Sequence, residues 1–162
     1  MKSLHSLACK VVNVRPPTLT ELPALLNLMR QLADFEDYLD DFSVTVDDLR
    51  ERMLSENPQC YCLVVSGSEG DLLGYAVWLL VPFTYDLTPN AMLKELYLVP
   101  QARGQGLGRH LFKAVQEQVY QQGCRRLLWN VLNGNQAAQG FYQRLGGHPE
   151  EKWQAWQKIL SA

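Results

Sequence analysis

No apolar run in the 162-residue chain reaches the ~18 residues that a membrane-spanning helix requires. No long basic run occurs either, and the net charge is −2, so a sequence-wide attraction to nucleic acid is not expected. Histidine is scarce, and His5, His110 and His148 form no cluster. Of the cysteines at 9, 60, 62 and 124, two make a C-x-C pair, but no further Cys or His stands at ligand spacing, so no metal site is expected. All four read as reduced, mostly buried thiols of a cytoplasmic protein, with Cys60 and Cys62 on one face of an extended segment. The opening MKSLHSLACKVVNVRPP holds Leu4, Leu7, Ala8 and Cys9 in a run too broken for a signal peptide. It reads as a short extension before the first strand.

What is present is an ordinary globular composition, 47% hydrophobic and 20% charged, with neither Pro nor Gly in excess. At this length one domain, residues 1–162, buries roughly 70% of its unfolded surface. CKVVNVRPP reads as a first strand ended by Pro16-Pro17. Leu22, Leu25, Leu26, Met29, Leu32 and Ala33 then recur at helical spacing, with Thr20 as N-cap and Pro23 in the first turn. Thr45 and Asp48 form a capping-box-like start to a second helix over Val46–Ser55. QCYCLVVSG and LLGYAVWLLVPF are strands around the hairpin-like SGSEGD, and AMLKELYLVP is a further strand closed by Pro100. A helix follows from about Gly108 to Gln122, ended by Gly123. RRLLWNVL is a strand, NGNQAAQGFYQRLG a loop and short helix, and WQAWQKIL a last strand. The four tryptophans, Trp78, Trp129, Trp153 and Trp156, are assigned to sheet faces. The order β α α β β β α β α β predicts one mixed sheet with helices on both faces.

Between a strand and a helix lies VPQARGQGLGRHLF, with glycines at every second position. Glycines there admit positive φ and remove Cβ atoms, and a helix start adds unpaired N–H groups, which together suit an anion. A P-loop is excluded because no Lys-Ser/Thr follows the last glycine. The dinucleotide fingerprint has a different spacing and belongs near the first strand.

Arg103-Gly104-Gln105-Gly106-Leu107-Gly108 resembles the Arg/Gln-x-x-Gly-x-Gly/Ala signature of the GNAT superfamily of acyl-CoA-dependent N-acyltransferases. The later NGNQAAQGFYQRLGG resembles that superfamily's Asn-x-x-Ala-x-x-x-Tyr-x-x-x-Gly block, with Asn135, Ala138, Tyr142 and Gly146 in place. The resemblance implies an α/β (α+β) fold, a single mixed, mostly antiparallel sheet with a splayed strand pair holding acetyl-CoA. It implies that the backbone of Arg103, Gly104, Gln105, Gly106, Leu107, Gly108 and Arg109 cradles the pyrophosphate. Leu96, Tyr97 and Leu98 would lie along the pantetheine arm, with Asn135 and Ala138 on its other side. For Asn135 the alternative is plain helix N-capping.

Acetyl transfer to an amine needs a neutral nitrogen, a polarised thioester carbonyl and a proton for the departing thiolate. The resemblance implies Tyr142 as the acid, since a phenol is protonated at neutral pH. Within the superfamily the chain looks most like the diamine (spermidine/spermine-type) acetyltransferases, through QLADFEDY, FTYD and EEKW. Carried over, Phe35 and Glu36 would line the amine site, with Leu128, Trp129 and Asn130.

One departure stands out. The subgroup's Glu, which helps to remove the amine's proton through water, falls here on Lys94, and its neighbouring Asp falls on Glu95. Strand side chains alternate, so Glu95 faces away from Lys94 unless a bulge intervenes. Either Glu95 is the base through such an irregularity, or the proton leaves by water and a carboxylate such as Glu36 or Asp86. Lys94 in the amine site would repel a polyamine. The reading is thus an acetyl-CoA-dependent N-acetyltransferase of a small primary amine, by direct transfer in a ternary complex. A homodimer is implied by the resemblance, with no nucleic-acid or membrane partner. The rivals are peptide or protein N-acetylation and a non-catalytic acyl-CoA sensor.

Overall fold

A computed structural model describes residues 13–160, so Cys9 and the start of the expected first strand lie outside the described residues. By internal contacts the chain forms two compact units, one ending at Asn130 and one beginning at Val131.

The first unit is built on a five-stranded sheet in the order β1-β2-β3-β4-β5. The strands are β1 (Asn13–Arg15), β2 (Tyr61–Ser66), β3 (Leu72–Val81), β4 (Asn90–Leu98) and β5 (Arg126–Trp129). Neighbours run antiparallel except β4 and β5, which are parallel. A parallel pair needs a crossover, here helix α3 (Leu107–Gln121). Helices α1 (Leu22–Phe35) and α2 (Val46–Met53) cover one face. Their Leu22, Leu25, Met29, Leu32 and Leu49 pack into one core with Cys62, Val64, Tyr75, Val77 and Tyr97. The alternate residues of β3 face α3, where the buried Trp78 donates its indole N–H to Gln122 Oε1 at 2.9 Å. No helix among the described residues is long and apolar enough to cross a membrane.

The helix starts follow local chemistry. Thr45 Oγ1 accepts from the Asp48 N–H at 3.2 Å, and Asp48 Oδ2 accepts from the Thr45 N–H at 2.9 Å. The short aspartate thus serves where a longer Glu or Gln is usual. Thr20 is not the cap of α1. A 3-10 turn over Leu19–Glu21 precedes the helix, and Glu21 takes the organising role. It accepts from the Thr18 N–H at 2.8 Å and pairs with Arg15 at 2.7 Å, which holds its carboxyl down to about 2.

The second unit contains α4 (Gln136–Arg144), begun by Asn135, whose side-chain oxygen accepts from the Ala138 N–H at 3.0 Å. The expected last strand over WQAWQKIL is not formed. Residues 153–160 belong to no helix or strand, and Trp153 and Trp156 are exposed rather than set in a sheet face. A strand requires a neighbouring edge for its amides and carbonyls, and apolar residues in this segment do not supply one.

Candidate active site

The pairing of β3 with β4 contains an irregularity at the decisive place. Val77 stands opposite Glu95, whereas the next residue, Trp78, stands opposite Leu93, so Lys94 is an extra residue in β4. Without it, Glu95 would share the α3 face with Leu93. With it, Glu95 shares a face with Val77, Tyr75 and Tyr97, beneath α1 and α2. Lys94 itself is exposed.

The same point marks the end of the β4–β5 pairing. Its last partners are Leu93 and Trp129, and from there to Leu98 β4 is hydrogen-bonded on its β3 side only. Alternate backbone groups of the remaining residues, those of Leu96 and the Leu98 N–H, therefore face away from β3 with no β5 partner, while the Leu98 carbonyl is taken by Arg103 Nε. That exposed edge is the splay a pantetheine chain with its own amides would fit.

After β4 the chain passes through a 3-10 turn, Pro100–Ala102, into the glycine segment. Gly104 and Gly106 sit at φ +72° and +81°, the left-handed region, and a Cβ on either would meet no atom within 4 Å. The space over the turn is therefore open. Gly106 is the N-cap of α3, and the first bond of the helix runs from the His110 N–H to the Gly106 carbonyl at 3.1 Å. The amides of Leu107, Gly108 and Arg109 consequently have no helix carbonyl within reach. Open glycines and free first-turn donors fit a diphosphate. Arg103 braces the turn: its Nε donates to the Leu98 carbonyl at 3.0 Å, and its guanidinium lies 5.9 Å from the Phe35 ring centre and 5.6 Å from that of Tyr97. Phe35 thus packs against the arginine that braces the glycine turn.

Glu95 is half-buried, and burial pushes its carboxyl above the usual glutamate range. The Tyr75 hydroxyl donates to Glu95 Oε2 at 2.7 Å and opposes that rise, while the charge of Glu36 adds to it. Glu36 is itself raised by burial. Tyr38 is pushed up to about 12 by burial together with the charges of Glu95 and Glu36. Two carboxylates and two phenols thus act on one another beside the bulge. Tyr38 and Tyr75 were not singled out from the sequence. The signal for Tyr75 was its position two residues from Val77 on a buried face; nothing local marked Tyr38.

Glu95 also lines a cavity of about 350 Å³ between the α1–α2 layer and the sheet. Its walls include Met29, Phe42, Leu49, Met53 and Val77, with Cys60 and Arg52 also present. Asp86 stands apart from this cavity lining: its carboxylate accepts from the Thr84 hydroxyl and the Thr88 N–H, each at 3.0 Å, inside its own exposed loop. On β5, the Trp129 ring packs edge-on to Phe112 of α3, 5.5 Å between centres, while Leu128 falls on the opposite face and is exposed, as is Asn130. In the second unit, Tyr142 lies on α4 with its ring 5.0 Å from that of Phe141, and Asn135 caps the helix. Among the described residues no group of three His, Cys, Asp or Glu is placed to hold a metal ion.

Residues 27–147 match the family described as the acetyltransferase (GNAT) family. The thialysine N-epsilon-acetyltransferase of Mus musculus is 30% identical over 139 residues, covering 82% of this chain and 81% of that protein. The spermidine/spermine N(1)-acetyltransferase-like protein 1 of Homo sapiens is 28% identical over 144 residues, covering 82% of this chain and 20% of the longer relative. Among solved structures, an aminoglycoside acetyltransferase from an uncultured soil sample, in complex with sisomicin, superimposes with a TM-score of 0.76. It is 18% identical, with 93% of this chain and 97% of that one covered, and so speaks to the fold.

Proposed function

The chain belongs to the GNAT acetyltransferase family and is an acetyl-CoA-dependent acyltransferase, and we propose that it acetylates a primary amine of a small molecule, with Glu95 as base and Tyr142 as acid. The observation that carries this reading is the extra residue Lys94, which turns Glu95 onto the α1–α2 face where β4 loses its β5 partner. The subgroup's glutamate position is occupied by lysine, and the shift of one residue supports Glu95 as the carboxylate that takes its part. A cavity of about 350 Å³ beside it is at the small end for a ligand site and suits a compact amine better than a peptide chain. Relatives named for thialysine and for spermidine/spermine acetylation point the same way.

In this reading the Gly104–Gly106 turn and the first amides of α3 hold the diphosphate, and the free edge of Leu96–Leu98 pairs with the pantetheine amides. Bound there, acetyl-CoA supplies the acetyl thioester. Glu95, directly or through a water, takes the proton that an ammonium must lose before its nitrogen can attack. Tyr142 donates its phenolic proton to the sulfur as the C–S bond breaks and the C–N bond forms. No covalent enzyme intermediate is required. The free thiols Cys60, Cys62 and Cys124 accord with a reducing, cytoplasmic compartment. The exposed apolar residues of 153–160 accord with a homodimer.

The test is an amine panel with acetyl-CoA, read as thiol release and as mass gain on the amine. Turnover of at least one small primary amine is expected, with Tyr142→Phe retaining acetyl-CoA binding but losing about 10²-fold in kcat. Thiol release with no amine on the panel, beside turnover of peptide amino termini, would overturn the small-molecule reading.

A further inference from the structure

The cavity beside Glu95 is asymmetric in charge. Its walls are aliphatic, thioether and aromatic (Met29, Phe42, Leu49, Met53), Glu95 is its half-buried carboxylate, and Arg52 is its exposed cation. Resting on the reading of Glu95 as the amine's partner, we propose that Arg52 selects acceptors whose amine is joined by an apolar arm to a carboxylate, an ω-amino acid pattern, over diamines of the same length.

Arg52 is held at the cavity by its surroundings. Its backbone carbonyl accepts from the Gln59 and Cys60 amides at 2.8 and 3.2 Å, and its Nη1 donates to Gln59 Oε1 at 2.5 Å. Among the described residues no carboxylate lies within ion-pair distance of it. Asp48, one helical turn earlier and also on the cavity, is attracted by the Arg52 charge, but its Oδ2 is committed to the Thr45 N–H and hydroxyl at 2.9 and 2.6 Å. Four of the five guanidinium donors thus remain for a ligand, in the planar fork that matches a carboxylate. Burial raises the Cys60 thiol, the Glu95 charge raises it further and the Arg52 charge lowers it, so both charges act on one cavity-lining side chain. A ligand in the cavity with its amine at Glu95 meets a charge of the opposite sign at Arg52. A diamine would place its second ammonium against Arg52, and a like-charge contact there opposes binding.

Calorimetric titration with ε-aminocaproate and cadaverine tests this, because the two share one amine and one five-carbon arm and differ only in the far group. With coenzyme A present, ε-aminocaproate is expected to bind the wild-type protein more tightly than cadaverine does. Arg52→Gln is expected to weaken ε-aminocaproate about tenfold or more and to leave cadaverine equal or tighter, while Arg52→Lys, which keeps the charge without the fork, restores part of the loss. Wild-type preference for cadaverine, absence of ε-aminocaproate binding, or equal ε-aminocaproate affinity in wild type and Arg52→Gln would each overturn the proposal. Amylamine, with the same arm and no second charge, separates the two readings. Its turnover by the wild-type protein beside Arg52-independent binding removes the proposal and leaves the acetyltransferase reading. Arg52-dependent binding with no amine turned over does the reverse.

Discussion

Glu95 is pulled in two directions, and the balance has consequences for both stability and rate. Burial raises its carboxyl in the folded chain, while the Tyr75 hydroxyl lowers it. Because the folded value lies above the unfolded one, the native state binds the extra proton between them. Stability therefore declines as pH rises from the ordinary glutamate range to the raised value, and the ionised form that the proposed base role requires is the less stable one. Glu95→Gln removes that cost and can still accept from Tyr75. It is expected to melt no lower than wild type above neutral pH while kcat falls about 10²-fold and the acidic limb of the rate profile disappears. Tyr75→Phe acts oppositely on the proposed base: with the Tyr75 hydrogen bond gone, Glu95 rises further and the acidic limb moves to higher pH. The melting curve should then fall by about 1 kcal/mol. An acidic limb unchanged in both variants would assign the proton to another group.

At the scale of elements, the proposed cofactor site depends on two kinds of glycine. Gly106 needs its left-handed backbone and has open space around it, whereas Gly74 has room only for hydrogen: a Cβ there would lie 2.4 Å from Leu98 Cδ2 and 2.5 Å from the Tyr97 carbonyl oxygen. Gly106→Ala is expected to cost about 1–2 kcal/mol for the left-handed conformation and to raise the KM for acetyl-CoA more than it lowers kcat. Gly74→Ala must push β4 from β3 against backbone, with about 1–3 kcal/mol lost and the free edge of Leu96–Leu98 displaced. Thermal melts with acetyl-CoA titrations distinguish the two patterns. The glycine turn, the Thr45 start of α2 and the Gly123 end of α3 were legible because each is written in a few adjacent residues. The extra residue at Lys94 was legible only as a condition. It is a property of the register between β3 and β4, in which Val77 and Trp78 span three residues of the partner strand, and that register is set across the sheet. The cap at Thr20 failed for a related reason: Glu21 is drawn to Arg15 of β1 and organises an earlier turn. Arg52 carried no motif at all, and only the cavity between α2 and the sheet marks it.

For the whole molecule, the same distinction between local and shared structure bears on the segment after the second unit's helix. WQAWQKIL has strand composition yet forms no strand, and Trp156 is 89% and Ile159 87% exposed. Isolated apolar side chains on a surface need no explanation, but four large ones within eight residues that form no helix or strand do. A second copy of the chain is the partner proposed for them. Sedimentation should then give about twice the 18.5 kDa chain mass at micromolar concentration, with dissociation on dilution. A charged replacement, Ile159→Asp, is expected to move the population toward the single chain without lowering the intrinsic melting temperature of the sheet unit. Tryptophan emission gives an independent reading, since Trp153 and Trp156 would leave water on association and their emission would shift to shorter wavelength as concentration rises. A chain that sediments at 18.5 kDa throughout, with concentration-independent emission, would remove the homodimer while leaving the acetyltransferase reading untouched.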